Sequence, residues 1–218
     1  MMNKSIQRFD TPLDVAQAVA KLVEKNATES IVKRGVFHWV LAGGTTPKQC
    51  YELLRGGAVD WSKVHVWFGD ERCLPVGDAE RNDEMADKAL LSHVSIPELQ
   101  IHRIKAELGA EQAAALYATE LADIEALDLV LLGMGEDGHT ASLFPNNPAL
   151  KDTGLAVPVF NSPKPPSDRV SMGYTALKAA RKRVVMVTGE GKREAFEKVC
   201  AGEALPVNIE DGQWYVSL

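Results

Sequence analysis

Two apolar periods alternate along the chain. Between residues 11 and 33, Leu13, Ala16, Val19, Ala20, Val23 and Ile31 recur at mostly helical spacing. Asp10 or Thr11 can cap this segment and Pro12 suits its first turn, so the spacing predicts a long first helix. Residues 36–42 are a β-rich run that stops at Gly43-Gly44-Thr45-Thr46-Pro47, and residues 49–54 return to a helical pattern. The unit then repeats. A strand at 64–68 meets Gly69-Asp70-Glu71-Arg72 and, after a loop, a helix from Asn82 to about Leu91. A short strand at 100–104 precedes a helix at 111–124. The nearly all-apolar 127–132 runs into Gly133, and 184–188 runs into Gly189-Glu190-Gly191-Lys192 before a helix to about Cys200. Strands apolar on both faces and alternating with helices predict an α/β fold, Rossmann-like, with a mainly parallel sheet and helices on both faces. Residues 157–160 and 169–172 read as extended, and the Pro-rich 161–169 between them as a site loop rather than a linker. Residues 1–218 read as a single domain.

Charge narrows the partners. Twenty-four Lys and Arg against thirty Asp and Glu give −6, so an anionic substrate must be held by local cations against the overall field, and nucleic acid is a poor partner. The N-terminal residues lack the apolar run of a signal peptide, and no stretch reaches the roughly eighteen apolar residues of a membrane span. The expectation is a cytoplasmic protein. Cys50, Cys73 and Cys200 show no metal or redox spacing and read as reduced structural thiols.

In open parallel sheets ligands bind beyond the carboxyl ends of the strands, and several strand ends here carry unusual residues. At Gly43-Gly44-Thr45-Thr46-Pro47, glycines allow close backbone approach and the following helix offers free N–H groups, which suits a phosphate; a plain strand-to-helix turn is the alternative. Asp70-Glu71-Arg72 is either an ion-pair network or a setting in which Arg72 faces an oxyanion or carboxylate. In Gly133-Met134-Gly135-Glu136-Asp137-Gly138-His139, one imidazole sits among glycines with Asp137 near enough to orient it, the make-up of a general base. The same stretch fits GxGxxG, but Pro145 would interrupt the long helix that a dinucleotide site needs. Ser142 lacks the GxSxG elbow of a serine nucleophile. Arg169 and Lys192, at ends of extended segments, are the candidate local cations. Arg181-Lys182-Arg183 precedes a strand and reads as a solvated face at the opposite edge. His38, His65, His93 and His102 read as structural or surface residues.

Taken together, Gly43-Gly44-Thr45-Thr46-Pro47, Trp67 to Arg72, Gly133 to Pro145, Pro165-Pro166-Ser167-Asp168-Arg169 and Gly189 to Lys192 resemble the 6-phosphogluconolactonases, in the superfamily that includes glucosamine-6-phosphate deaminases and isomerases. The resemblance implies hydrolysis of 6-phospho-D-glucono-1,5-lactone in the oxidative pentose phosphate pathway, with no metal or organic cofactor. It implies catalytic roles for His139 as general base, for Asp137 as its neighbour and for Arg72 as the cation near the reacting group. Gly43, Gly44, Thr45, Thr46, Asp70, Asn82, Arg169 and Lys192 match positions around the substrate. The implied partner is a phosphosugar lactone, with neither nucleic acid nor membrane. Arg81 stands where the family usually has serine, which would place a long cation at the rim of the site. The alternative is a glucosamine-6-phosphate deaminase or isomerase, but those relatives place a glutamate five residues after the histidine, where this chain has Phe144. A non-catalytic sugar-phosphate sensor would carry a basic DNA-binding extension, and the chain opens directly into the first helix.

Overall fold

A computed structural model describes residues 5–218. In chain order the elements are β1 (Ser5–Arg8), α1 (Pro12–Arg34), β2 (Phe37–Leu41), α2 (Thr45–Leu54), β3 (Val64–Phe68), β4 (Asp70–Arg72), α3 (Asn82–Ala89) and β5 (Ile101–His102). There follow α4 (Ala110–Ala122), β6 (Leu129–Gly133), β7 (Ala156–Val159), β8 (Arg169–Met172), α5 (Tyr174–Ala179), β9 (Lys182–Thr188), α6 (Arg193–Ala201) and β10 (Gln213–Ser217). Of the two caps that the sequence offers for the first helix, Thr11 is the one used. Thr11 Oγ1 accepts the Asp14 N–H at 3.2 Å while Asp14 accepts the Thr11 N–H at 3.1 Å, and Gly35 ends the helix at φ +80°.

Seven strands form one all-parallel sheet in the order β1-β10-β9-β6-β2-β3-β5. Helices cover both of its faces, and the register explains why. Trp39 pairs with Val66 and Val40 with Trp67, so the two tryptophans point to opposite faces. Trp39 meets Tyr51 of α2 edge-on at 5.6 Å, and Trp67 meets Tyr117 of α4 at 5.9 Å. The expected parallel α/β sheet is therefore present. Three strands lie outside the sequence reading. β1 is polar and mostly exposed, β10 is a short Trp-Tyr-Val run near the C-terminus, and β4 is three charged residues.

β4 does not extend the parallel sheet. At Gly69 the chain turns into a three-stranded antiparallel sheet, β4-β8-β7, that packs against α4. The charged triplet thus gains backbone partners of its own beside the carboxyl ends of the main strands. In Arg181-Lys182-Arg183, read as a solvated run, Arg181 is exposed and Lys182 partly so, but Arg183 is not. Lys182 and Arg183 open β9, and Arg183 is buried because its guanidinium donates to the carbonyls of Lys178, Ala180 and Glu210. Arg181 pairs with Glu125 and Asp128. Among the described residues no helix is long and apolar enough to cross a membrane.

On the α4 face, His38, His65 and His102 cluster about Trp67. His102 stacks on its ring at 3.7 Å, Trp67 Nε1 donates to His38 Nδ1 at 3.1 Å, and the His65 and His102 ring nitrogens lie 3.0 Å apart. Burial, helped by the neighbouring His65, lowers His38 to about 4. A folded value below the unfolded one means that the unfolded chain binds more protons between pH 6.5 and 4, so stability falls as pH drops through that window. His38→Asn keeps an acceptor for Trp67 and removes the titration. Denaturant unfolding at pH 7 and 4.5 should show its acid-induced loss to be smaller than the wild-type loss by about 1–2 kcal/mol, discounted for partial solvent access.

Candidate active site

Strand order places the site. The strand after β2 in the main sheet lies on one side of it and the strand after β6 on the other, so the loops leaving β2 and β6 part and open a crevice at the carboxyl ends. Two tyrosines fasten the strand ends there. Tyr51 Oη donates to Ala42 O at 2.8 Å and accepts from Ala42 N, and Tyr117 Oη does the same for Phe68. With their last backbone groups satisfied from helices, β2 and β3 can end at Gly43 and Gly69 without fraying. A cavity of about 360 Å³ occupies the crevice.

His139 lines this cavity. Its Nδ1 lies 2.5 Å from Asp137 Oδ1, and its backbone N–H donates to the same oxygen at 3.1 Å. An Nδ1–H committed to a carboxylate leaves Nε2 as the nitrogen with a free lone pair. Burial lowers the imidazole from its ordinary value, Asp137 opposes that, and Lys164 adds to it. The ring lies so close to Gly135 that a Cβ there would stand 2.1 Å from Nδ1, so any side chain at 135 would displace the base. Below the imidazole, the buried Phe144 ring sits 4.5 Å away, centroid to centroid, and carries the Arg169 guanidinium at 5.6 Å.

Asp70 forms the opposite wall. It is buried, accepts the Ser142 hydroxyl at 2.5 Å and the Asn82 amide at 3.1 Å, and lines the cavity beside Arg72. Asn82 Oδ1 presses against Gly43, where a Cβ would come within 2.3 Å. Glu71 points the other way and caps α3, accepting N–H groups from Arg72, Asn82 and Asp83 at 2.8 Å each. Burial and the nearby Asp83 push it up to about 8 against those three donors.

Three further cations line the cavity. Lys192 and Lys164 both line the cavity, and neither has a carboxylate within ion-pair distance among the described residues. Burial lowers Lys192, the carboxylate of Glu136 opposes that, and Lys164 adds to it. Arg169 also lines the cavity, but its Nε and Nη2 donate to the carbonyls of Pro166, Lys164 and Pro165 and so hold the proline-rich loop over the site.

A family model described as glucosamine-6-phosphate isomerases/6-phosphogluconolactonase matches residues 10–213. The chain belongs to this family. It is 40% identical over 193 residues to a 6-phosphogluconolactonase of Synechocystis sp., covering 84% of this chain and 80% of that protein. It is 38% identical over 224 residues to a 6-phosphogluconolactonase of Mycobacterium bovis, covering 95% and 90%. The crystal structure of a Thermotoga maritima 6-phosphogluconolactonase superposes with a TM-score of 0.91 over 99% of this chain and 100% of that one; at 24% identity this speaks for the fold.

In this family member the residues read from sequence divide in three. Gly43, Gly44, Asp70, Arg72, Asn82, His139, Arg169 and Lys192 meet on the cavity wall. Asp137 stands behind His139. Thr45 and Thr46 do not line the cavity: Thr45 is exposed at the start of α2, and Thr46 is buried with its hydroxyl 2.6 Å from that of Thr188, tying α2 to the end of β9. Arg81 does not form the expected rim, because it is buried with its guanidinium turned away from the cavity toward Asp83 and Glu107. Ser142, fully buried, donates its hydroxyl to Asp70. The sequence reading passed over Lys164 and Glu136, both cavity residues. A lone lysine between prolines, five residues before a cation at the start of an extended segment, was the available signal for the first. Among the described residues no group of three or more His, Cys, Asp or Glu side chains is placed to hold a metal.

The acid limb of the pH profile follows from these contacts. A base is active when neutral, so activity should fall only below a midpoint that lies under the ordinary histidine value of about 6.5. Asp137→Asn removes the charge that raises His139 and should move that midpoint to lower pH. The plateau rate should also fall, about ten- to a hundredfold, because the imidazole loses the partner that orients it. A kcat/KM profile of both proteins from pH 4.5 to 8 measures each effect.

Proposed function

We propose that this protein hydrolyses 6-phospho-D-glucono-1,5-lactone to 6-phospho-D-gluconate in the cytoplasm, with His139 as general base. The observation that carries the reading is the His139–Asp137 pair on the wall of a cavity that Lys164 and Lys192 also line. The family relationship and the lactonase names of the relatives at 38–40% identity point the same way.

In this mechanism His139 Nε2 takes a proton from a water as the water oxygen bonds to the lactone carbonyl carbon. The carbonyl oxygen gains negative charge, which Arg72 offsets. Collapse of the tetrahedral intermediate re-forms the carbonyl and breaks the bond to the ring oxygen, and that oxygen receives the proton from His139. Asp137 stabilises the imidazolium between the two transfers. The step consumes one water and yields the open acid. Lys164 and Lys192, with Arg169 Nη1, hold the phosphate, and Gly43 and Gly44 allow the sugar to lie against backbone.

Phe144 disfavours the amino-sugar alternative. Deamination with isomerisation needs proton transfers between carbons and to the ring oxygen, and a buried phenyl ring beside the imidazole supplies no second acid or base.

Two assays run side by side test the proposal: acid release from freshly made lactone in a pH-stat, and ammonia release from glucosamine 6-phosphate. Lactone hydrolysis well above background with no ammonia is expected, and ammonia release with no lactone hydrolysis sinks the reading. His139→Ala should lower kcat by about 10²–10⁴-fold. Lys164→Ala and Lys192→Ala should each raise KM about ten- to a hundredfold, with smaller effects on kcat. An unphosphorylated gluconolactone should lose most of the advantage that these lysines confer.

A further inference from the structure

We infer that Arg81, which touches no cavity surface, is a positioning residue that sets the aim of Arg72 and Asn82; the inference rests on the lactonase reading. Its guanidinium is 2% exposed and uses all five of its N–H donors. Nε and Nη2 grip the two carboxylate oxygens of Asp83 at 2.9 and 2.8 Å. Nη1 donates to Glu107 at 2.9 Å and to Leu74 O at 3.1 Å, and Nη2 donates to Ile104 O at 3.1 Å. One side chain thus joins the loop after β4, the first turn of α3 and the segment that leads into α4.

What this clamp holds still are the residues on either side of it. The carbonyl of Glu80 accepts from Arg72 Nη1. Asn82 carries the amide that donates to the Asp70 carbonyl at 2.9 Å and to its carboxylate at 3.1 Å. Arg81 lies between the two, pointing away from the cavity while its neighbours reach a cavity-lining side chain and the cavity itself. A shift of its backbone therefore moves the cation facing the reacting carbonyl and the amide holding Asp70 together. A planar fork is needed for this. A lysine has one nitrogen and cannot satisfy two carboxylates and two carbonyls in these directions. A serine in its place would leave the buried Asp83 without its counter-ion.

Lys164 and Lys192, the two lysines assigned to the phosphate, sit on segments that Arg81 does not touch, so the clamp should govern the chemical step more than substrate affinity. Arg81→Lys keeps the buried positive charge and loses the fork. Glu107→Ala cuts only the outer tie and leaves the Arg81–Asp83 pair in place. Both are assayed with fresh lactone, with folding checked by thermal melting and kcat expressed per folded enzyme. The expected result is a kcat lowered about tenfold in Arg81→Lys and about two- to threefold in Glu107→Ala, with KM within twofold of wild type in both. The acid-limb midpoint of the pH profile should stay put, since His139 lies on another loop. A folded Arg81→Lys enzyme with wild-type kcat, or with its whole defect in KM, overturns the inference. If Arg81→Lys does not fold, an unchanged kcat in Glu107→Ala overturns it as well. A wild-type enzyme without lactonase activity would instead sink the functional reading on which it rests.

Discussion

Asp70 is the point at which three distant stretches of chain are held to one another. Its carboxylate accepts the hydroxyl of Ser142 from the loop that bears His139 and the amide of Asn82 from the start of α3, while its backbone pairs with Ser171 across the small sheet. A buried carboxylate is costly unless its oxygens are matched by donors, and here the donors come from the elements that must be aligned for the site to exist. If the Asn82 contact is lost, the wall beside Gly43 opens. If the Ser142 hydroxyl contact is lost, the segment after His139 is left with the Ser142 N–H bond to Ser171 Oγ at 3.2 Å as its tie to the small sheet.

That arrangement explains why Ser142 is no nucleophile although it lies three residues from the base. Its oxygen is fully buried and its proton is committed to Asp70, whereas the imidazole faces Asp137. One short loop thus carries three arrangements: the Asp137–His139 pair at the cavity, the Ser142 bond to Asp70, and Phe144 beside the imidazole. The Phe144 ring touches both the imidazole and the Arg169 guanidinium, so the base and the arginine that ties down the proline-rich loop share one apolar support.

Much of this could be read from residue order because the governing signals are local. The Thr11-to-Asp14 box, the apolar run 64–68, the glycine stop after β2 and the Asp137–His139 spacing act over a few residues, and each is found where the pattern put it. What escaped depends on partners remote in sequence. β4 is a strand because Arg169 to Ser171 pairs with it, and nothing in Asp-Glu-Arg announces that. Arg183 is buried because three carbonyls from elsewhere receive its guanidinium, and Arg81 turns inward because Glu107 and Ile104 wait for it. Long cations are the residues for which local pattern says least, since the stem allows either solvent or a buried carboxylate and only the fold decides.

The electrostatic layout follows from the same division. An acidic chain that must hold an anionic substrate cannot rely on its overall field, so positive charge has to be concentrated where neighbouring carboxylates do not neutralise it. Lys164 and Lys192, on two different segments, line the cavity with no ion-pair partner among the described residues; Glu136 favours the charge on Lys192 and Lys164 opposes it. Lys164 has a second effect, since it also disfavours the protonated form of His139.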